Sequence, residues 1–389
     1  DLTRDQCTHA IERIAQRLRR PELEIACTVL QMSPDAGEAV IGGPAYWLIG
    51  GGRPELIKAL GGRGAATDAP SWLRALQLVR GPLYAALPLT GTLMLLAFIF
   101  GAGPSGGLQW AALVLTLLVG FECLITVVNR VLSEAIRVHR LPRLALAQGL
   151  EEVHRTMVVV PCMLTSLKAV HELAQGIERH YLANPEKHTR FALLSDWRDA
   201  REQHAAEDDE LLAAAKQAIK SLNQRYPQEA PDSNRFALLH RERIWCESEG
   251  IWMGWERKRG KLEQLLKVLA EENPENPSPF LDLGPHSQTG SGVRYLITLD
   301  SDTEMPPRTL REMVSIAAHP LNRPRLDPTT HRVVAGYGIL QPRIAAPLPR
   351  RREVTAFGWL FSAPWGFDLY NAGSSEIYQD LFAQGSFSG

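Results

Sequence analysis

Val293-Arg-Tyr-Leu-Ile-Thr-Leu-Asp300-Ser-Asp302 decides how this chain is read. A mostly apolar, β-favouring run delivers two carboxylates, one residue apart, to the end of a predicted strand. Side chains alternate along a strand, so Asp300 and Asp302 point the same way if the strand persists and splay around a turn if it stops. Either way, hard anionic oxygens converge where a divalent cation carrying a diphosphate can be held. An Asp-x-Asp alone is weak, because many such pairs are solvated turn residues. Its weight comes from its surroundings.

At 389 residues the chain has room for two or three domains. Lys+Arg total 42 against 43 Asp+Glu, so the overall charge implies no polyanion-binding surface and no nucleic-acid partner. The 5 cysteines (Cys7, Cys27, Cys123, Cys162, Cys246) have no paired spacing. They suggest neither a metal site nor a disulfide framework and fit a reducing compartment. The chain opens on Asp1 and stops at Ser388-Gly389 without a closing element, and so reads as a fragment of a longer protein.

From Gly81 to Phe121 there is no charged residue, about twice the ~20 residues needed to cross a bilayer. Gly101-Ala-Gly-Pro-Ser-Gly-Gly107 is a turn by composition and splits the run into Pro82–Phe100 and Leu108–Val128. At ~1.5 Å per residue each piece is long enough to span. Arg74 and Arg80 precede the hairpin, and Arg130, Arg137, Arg140 and Arg143 follow it. The positive-inside bias then places both ends in the cytoplasm and the turn outside, as for a multi-pass protein of a bacterial inner membrane. Glu122, inside the second span, is given no role. Residues 1–80 read as a small, partly helical cytoplasmic region. Its Ile49-Gly-Gly-Gly-Arg53 is read as a plain turn, because no strand–turn–helix context surrounds it.

Residues 81–130 are thus the hairpin, 131–150 a basic linker, and 151–389 an α/β domain. Thr156-Met-Val-Val-Val-Pro161 reads as a buried strand, followed by a helix over Leu167–Tyr181; Phe191-Ala-Leu-Leu-Ser-Asp196 is a second strand ending in a carboxylate. Parallel strands with right-handed crossovers put a site at their carboxyl ends, where Asp196, Asp300 and Asp302 all fall. A charged, helical insertion is expected over about 200–290. Within it, Arg257-Lys-Arg-Gly-Lys261 beside two tryptophans is either a cationic loop aimed at an anion or the basic start of an exposed helix. Residues 332–343 read as a further strand. Trp359, Phe361, Trp365, Phe367, Tyr370 and Tyr378 form an aromatic-dense stretch that suits sugar stacking as well as core packing.

The order Asp196, Gly260-Lys261-Leu262, Asp300-Ser-Asp302, Leu340-Gln341-Pro342 resembles processive membrane glycosyltransferases such as cellulose synthase. More closely, Trp252-Met-Gly-Trp-Glu-Arg-Lys-Arg-Gly-Lys-Leu-Glu263, Gly336-Tyr-Gly-Ile-Leu-Gln-Pro-Arg343 and Ile377-Tyr-Gln-Asp-Leu-Phe382 with Gly385-Ser-Phe-Ser-Gly389 resemble the transferase region of cyclic β-1,2-glucan synthases. The resemblance runs from about Leu141 to Gly389. It implies a Rossmann-like nucleotide-diphospho-sugar transferase (GT-A type) fold, incomplete at its C-terminal end. It also implies UDP-glucose as donor, a growing glucan as acceptor, and Mg²⁺ or Mn²⁺ as the metal.

By the same resemblance Asp196 matches the position contacting uridine or ribose, Lys258 and Lys261 the basic loop near the donor, and Gln341 a further donor-side residue. Asp302 matches the metal-binding carboxylate, and Asp300 supports donor sugar and metal. The family's general base lies further on, so it is expected beyond residue 389; Asp380 is the candidate inside this chain. Tyr370 is a candidate for glucan attachment to the protein, with Tyr337 and Tyr378 as others. Two other classes remain open: a membrane transferase making another polysaccharide or glycolipid, and a non-catalytic membrane scaffold on a transferase fold.

Overall fold

The computed structural model of the chain describes residues 2–33, 42–62, 71–101, 103, 106–135, 140–228, 234–270, 278–342 and 355. By internal contacts the chain divides into two units, Arg4–Leu141 with Pro324–Gly389, and Pro142–Arg323 with Asp1–Thr3.

The first of these units opens with helices α1 (Leu2–Leu18), α2 (Glu22–Met32), α3 (Pro44–Ile49) and α4 (Arg53–Ala59). Ala10 and Ile14 on α1 are one helical turn apart and enter one buried cluster with Ile25, Val29, Leu48 and Leu56. Gly50-Gly51-Gly52 is the turn between α3 and α4. A Cβ at Gly52 would lie 2.5 Å from ring carbons of both Tyr46 and Trp47, so glycine is there for close packing.

Two long helices follow, α5 (Ser71–Phe100) and α6 (Gly107–Ala135). Within them Pro82–Phe100 and Gly107–Val131 are long and apolar enough to cross a membrane, close to the expected spans. Only 11% and 6% of these windows is buried, so most of their apolar surface has no protein cover among the described residues, unlike core helices. Small residues bring the two helices together. A Cβ at Gly91 would sit 2.9 Å from Leu124, and one at Gly120 3.3 Å from Leu95. Tyr84 donates to Asn129 Oδ1 at 2.7 Å. Glu122 is exposed on α6.

The second unit holds β1 (Thr156–Leu164), α7 (Leu167–Ala183), β2 (Thr189–Trp197), α8 (Asp208–Arg225), β3 (Phe236–Arg241), β4 (Ile244–Cys246), β5 (Ile251–Met253), α9 (Arg257–Ala270), β6 (Tyr295–Thr298) and α10 (Thr309–Ala318). Four strands form a parallel sheet in the order β3-β2-β1-β6, while β4 and β5 make a separate antiparallel hairpin. Both sheet faces are covered, which is why the strands read as continuous apolar runs. On one face Val158, Val160, Phe191, Leu193, Phe236 and Leu238 pack on residues of α7, α8 and α10. On the other, Met157, Val159, Ala192, Leu194 and Leu239 pack on Leu265 of α9.

The expected helical insertion is corrected here, since 200–290 also supplies β3, a strand of the main sheet. The run read as a strand over 332–343 is shorter than expected. Only β8 (Val333–Ala335) pairs, with β7 (Arg325–Leu326), in the other unit. Gly336, Gly338 and Pro342 account for its end.

Pro161 interrupts β1 without breaking it. β6 pairs β1 only from Thr156 to Val159, and the last bond on that side runs from Leu299 N to Val159 O at 2.9 Å. Alternate residues face the same edge, so the N–H that Pro161 lacks would point where β6 has already ended. The sheet therefore opens between the carboxyl ends of β1 and β6. Chain order reverses at that same place, since β2 and β3 lie on one side of β1 and β6 on the other.

Candidate functional site

Charged side chains gather at the carboxyl ends of all four strands. Asp196 closes β2 and Arg241 closes β3, and the parallel register sets the two side by side. Both are 3% exposed. Arg241 donates from Nε to Asp196 Oδ1 at 2.8 Å and from Nη2 to Oδ2 at 2.9 Å. Nη1 donates to Gln264 Oε1 at 2.7 Å and to the Trp255 carbonyl at 3.2 Å, and Nη2 also reaches the Arg257 carbonyl at 3.2 Å. A guanidinium has five N–H donors, and here every one is used.

Those two carbonyls flank a strained turn. Glu256 and Arg257 have φ of 49° and 47°, the left-handed region that side chains with a Cβ rarely enter. This turn carries the chain from β5 into α9, and Arg241 clamps it. Gly254 just before it must be glycine on similar grounds, because a Cβ there would lie 2.8 Å from the Asp196 carboxylate.

The cationic segment is the first turn of α9 and not a loop. Lys258 and Lys261 are three residues apart, hence on one helix face. Lys261 Nζ lies 3.1 Å from Asp196 Oδ2 and donates to the Cys162 carbonyl of β1 at 2.7 Å. Lys258 Nζ meets Asp300 Oδ1 at 2.5 Å. One helical turn thus ties the ends of β1 and β2 to the segment leaving β6.

β6 ends at Thr298, and Asp300-Ser301-Asp302 is a turn closed by Thr303 N to Asp300 O at 3.0 Å. The splayed arrangement is therefore the observed one. Asp300 and Asp302 are exposed, and Asp302 makes no hydrogen bond or ion pair to another described residue. Among the described residues no group of three or more His, Cys, Asp or Glu side chains is placed to cage a metal ion. The donor set suits Mg²⁺ or Mn²⁺ all the same, since such ions take one or two carboxylates and complete their shell from water and substrate phosphates.

The expected residues therefore separate into two groups. Lys258, Asp300 and Asp302 are exposed at the edge. Asp196, expected to contact uridine or ribose, and Lys261, expected in the basic loop near the donor, are buried and bonded to each other, Asp196 also to Arg241 and Lys261 also to the backbone of β1. Gln341 belongs to the other unit. Asp380, Tyr370 and Tyr378 lie outside the described residues, and Tyr337 is exposed. Arg241 was missed by the sequence reading. Its only signal was a cation ending an apolar run that could lie beside the run ending in Asp196.

Two buried neighbours are tuned by this cluster. Burial pushes the Cys162 thiol up to about 12, against the opposing pull of Lys261, so it is an inert core side chain. His240 is fully buried; its Nδ1 pairs with Ser195 Oγ at 2.8 Å and its ring sits 4.2 Å from Trp197. Burial brings its pKa down to about 4, with Asp196 and Asp208 opposing the fall and Lys261 and Arg243 adding to it. The unfolded chain takes up this proton near pH ~6.5, so between the two values the unfolded state binds more protons. Stability is accordingly whole above about pH 6.5 and lost as pH falls towards 4, by about 3 kcal/mol in all. Unfolding measured from about pH 7 down to about pH 4 checks this, and His240→Asn should flatten the slope. An unchanged slope in that variant assigns the loss to other groups.

The fold so far defines an open parallel α/β sheet whose charged carboxyl edge lies at a reversal of strand order, the place where such sheets take ligands. No family model matches the chain. Among curated proteins it is 34% identical, over 403 residues and its whole length, to the cyclic beta-(1,2)-glucan synthase NdvB of Rhizobium meliloti (strain 1021). The chain spans 14% of the length of that relative. It is thus related from end to end to one segment of a cyclic β-(1,2)-glucan synthase, which bears out the resemblance carried by its motifs.

Proposed function

We propose that this chain carries the donor side of the sugar-transfer site of a membrane-bound β-1,2-glucan synthase, on a GT-A type fold, with UDP-glucose as donor and a growing glucan as acceptor. The observation that carries the reading is the first turn of α9, which sets Lys258 against Asp300 beside the open switch point while Lys261 is anchored on Asp196. The likeness to a glucan synthase supports the substrate class.

On this reading Asp300 and Asp302 would hold Mg²⁺ or Mn²⁺, which when bound would neutralise charge on the departing diphosphate. Lys258 is on a flexible stem and half exposed, so it can exchange Asp300 for a phosphate oxygen of the donor. Arg241, Asp196 and Lys261 keep the start of α9 in place, so that Lys258 approaches from a fixed direction. The glucan hydroxyl would attack the anomeric carbon of the donor glucose as the bond from that carbon to the diphosphate oxygen breaks and UDP leaves, with the hydroxyl proton passing to the general base expected further along the protein. Calorimetric titration of the full-length protein with UDP tests this. Binding is expected with Mn²⁺ and expected to vanish with chelator, and equal affinity in both overturns the metal's role.

The apolar hairpin would anchor the site at the cytoplasmic face of a bacterial inner membrane, with arginines only at its outer ends. In a cysteine-free background Gly106→Cys is expected to react with an impermeant maleimide from the periplasm, and Glu202→Cys only after the inner membrane is opened. The reverse pattern would invert the topology.

A further inference from the structure

The opposite edge of the sheet holds a second concentration of charge. At the amino ends of β1, β2 and β3 lies a cavity of ≈ 870 Å³, lined among others by Arg155, Thr189, Arg190, Arg235, Gln288 and Gly290. Thr189 opens β2, seven residues or about 23 Å along the strand from Asp196, so this is not the edge described above. All the lining residues belong to one unit.

Two of its arginines, Arg190 and Arg235, carry charge that no side chain among the described residues balances. Arg190 Nη1 donates only to the Gln288 carbonyl, at 3.2 Å, and Arg235 Nη1 only to the Glu186 carbonyl, at 3.3 Å. Among the described residues neither has a carboxylate partner. Arg235 lies 4.6 Å over the Tyr181 ring and its Nε is buried without a hydrogen bond. The Thr189 hydroxyl, in a residue 1% exposed, is likewise buried without a partner. Of the two carboxylates among the described lining residues, Glu152 is paired with Arg155, and Glu186 is taken by Arg311 at 2.7 Å and Leu150 N at 2.9 Å.

The backbone is shaped around the arginines. Gly290 and Gly292 have φ of 79° and 69°, and a Cβ on each would come within 2.6 Å of Arg190 Nη1 and 2.9 Å of Arg155 Nη1. The segment therefore folds directly onto both guanidiniums and holds them near one another. Burial and then the Arg155 charge lower the Arg190 pKa. Arg190 and Arg235, half-buried without a carboxylate partner among the described residues and beside the orphaned Thr189 hydroxyl, leave a charge that an anion from outside the chain would compensate.

We propose that this cavity binds an anion of the phosphate class, a diphosphate or phosphate ester, gripped by the Arg155 and Arg190 forks, with Arg235 and the Thr189 hydroxyl completing the shell. Guanidinium forks match such oxygens in pairs, and the Tyr181 ring offers a face for a group carried by the ester.

The test uses the full-length protein in neutral detergent, with divalent metal chelated so that the donor edge is silent. Inorganic pyrophosphate is the calorimetric probe. One saturable site is expected, weakened about tenfold or more in Arg190→Met and in Arg155→Met and unchanged in Asp302→Asn. Arg190→Lys keeps the charge without the fork and should weaken binding to a lesser degree. It also provides the reading if the methionine variants do not fold. Competition then identifies the source: displacement by glucose 1-phosphate or UDP marks a soluble ester, and displacement by phosphatidylglycerol vesicles a lipid headgroup. No saturable binding, equal binding in wild type and every arginine variant, or loss confined to Asp302→Asn would overturn the site.

Discussion

An Arg241→Met protein is expected to be less stable than wild type by about 3–5 kcal/mol. The sulfur side chain fills much of the space, so the loss is electrostatic. Asp196, at 3% exposure, would keep Lys261 as its one remaining charge partner among the described residues. The Trp255 and Arg257 carbonyls would lose the donors that hold the left-handed turn at Glu256 and Arg257, whose strain is about 1–3 kcal/mol per residue. Arg241→Lys is expected to recover only part, since an ammonium cannot serve acceptors spread over three elements. Pulse proteolysis in denaturant gives the measurement. A loss under about 1 kcal/mol in both variants would mean the cluster is not the clamp described here.

The reason Arg241 escaped the sequence reading applies to much of the site. β1, β2 and β6 were legible because each is an apolar run closed by a turn or a carboxylate. β3 is Phe236-Ala-Leu-Leu followed by His240-Arg241, four apolar residues inside a charged stretch. Its polar end is buried only because Asp196, 45 residues away in sequence, lies beside it. That pairing is non-local, and no period-2 pattern encodes it. The same register sets Asp196, whose expected role is at the donor, against Arg241 and Lys261. The basic run 257–261 was ambiguous between loop and helix because its glycine argues for a turn. Gly260 is in fact needed inside the helix, since a Cβ there would fall 2.0 Å from the Trp255 carbonyl. The two long apolar helices were legible, since a run long and apolar enough to span is a property of composition and length.

The second large effect separates chemistry from folding. On the proposed function, Asp302→Ala in the full-length protein is expected to lower glucose transfer from UDP-glucose by about 10²–10³-fold while leaving stability within about 0.5 kcal/mol. Both halves of that statement come from its setting. Asp302 is exposed on the turn after β6 and touches no other described side chain by hydrogen bond or ion pair, so nothing structural is lost with it. On the proposed reading it is nonetheless one of the two carboxylates that position the metal against the leaving diphosphate, an interaction strongest as charge develops there. The loss should therefore fall mainly on kcat, with part on UDP affinity when Mn²⁺ is present and none when it is absent. Asp300→Ala is a different experiment, because it also releases Lys258 from its 2.5 Å contact and leaves that cation free for phosphate. Its expected loss is smaller, and Lys258→Met combined with it should deepen the defect. Radiolabelled glucose incorporation at saturating donor decides between these outcomes. Wild-type turnover in Asp302→Ala would remove the Asp-x-Asp from the reaction and leave it the solvated turn that most such pairs are.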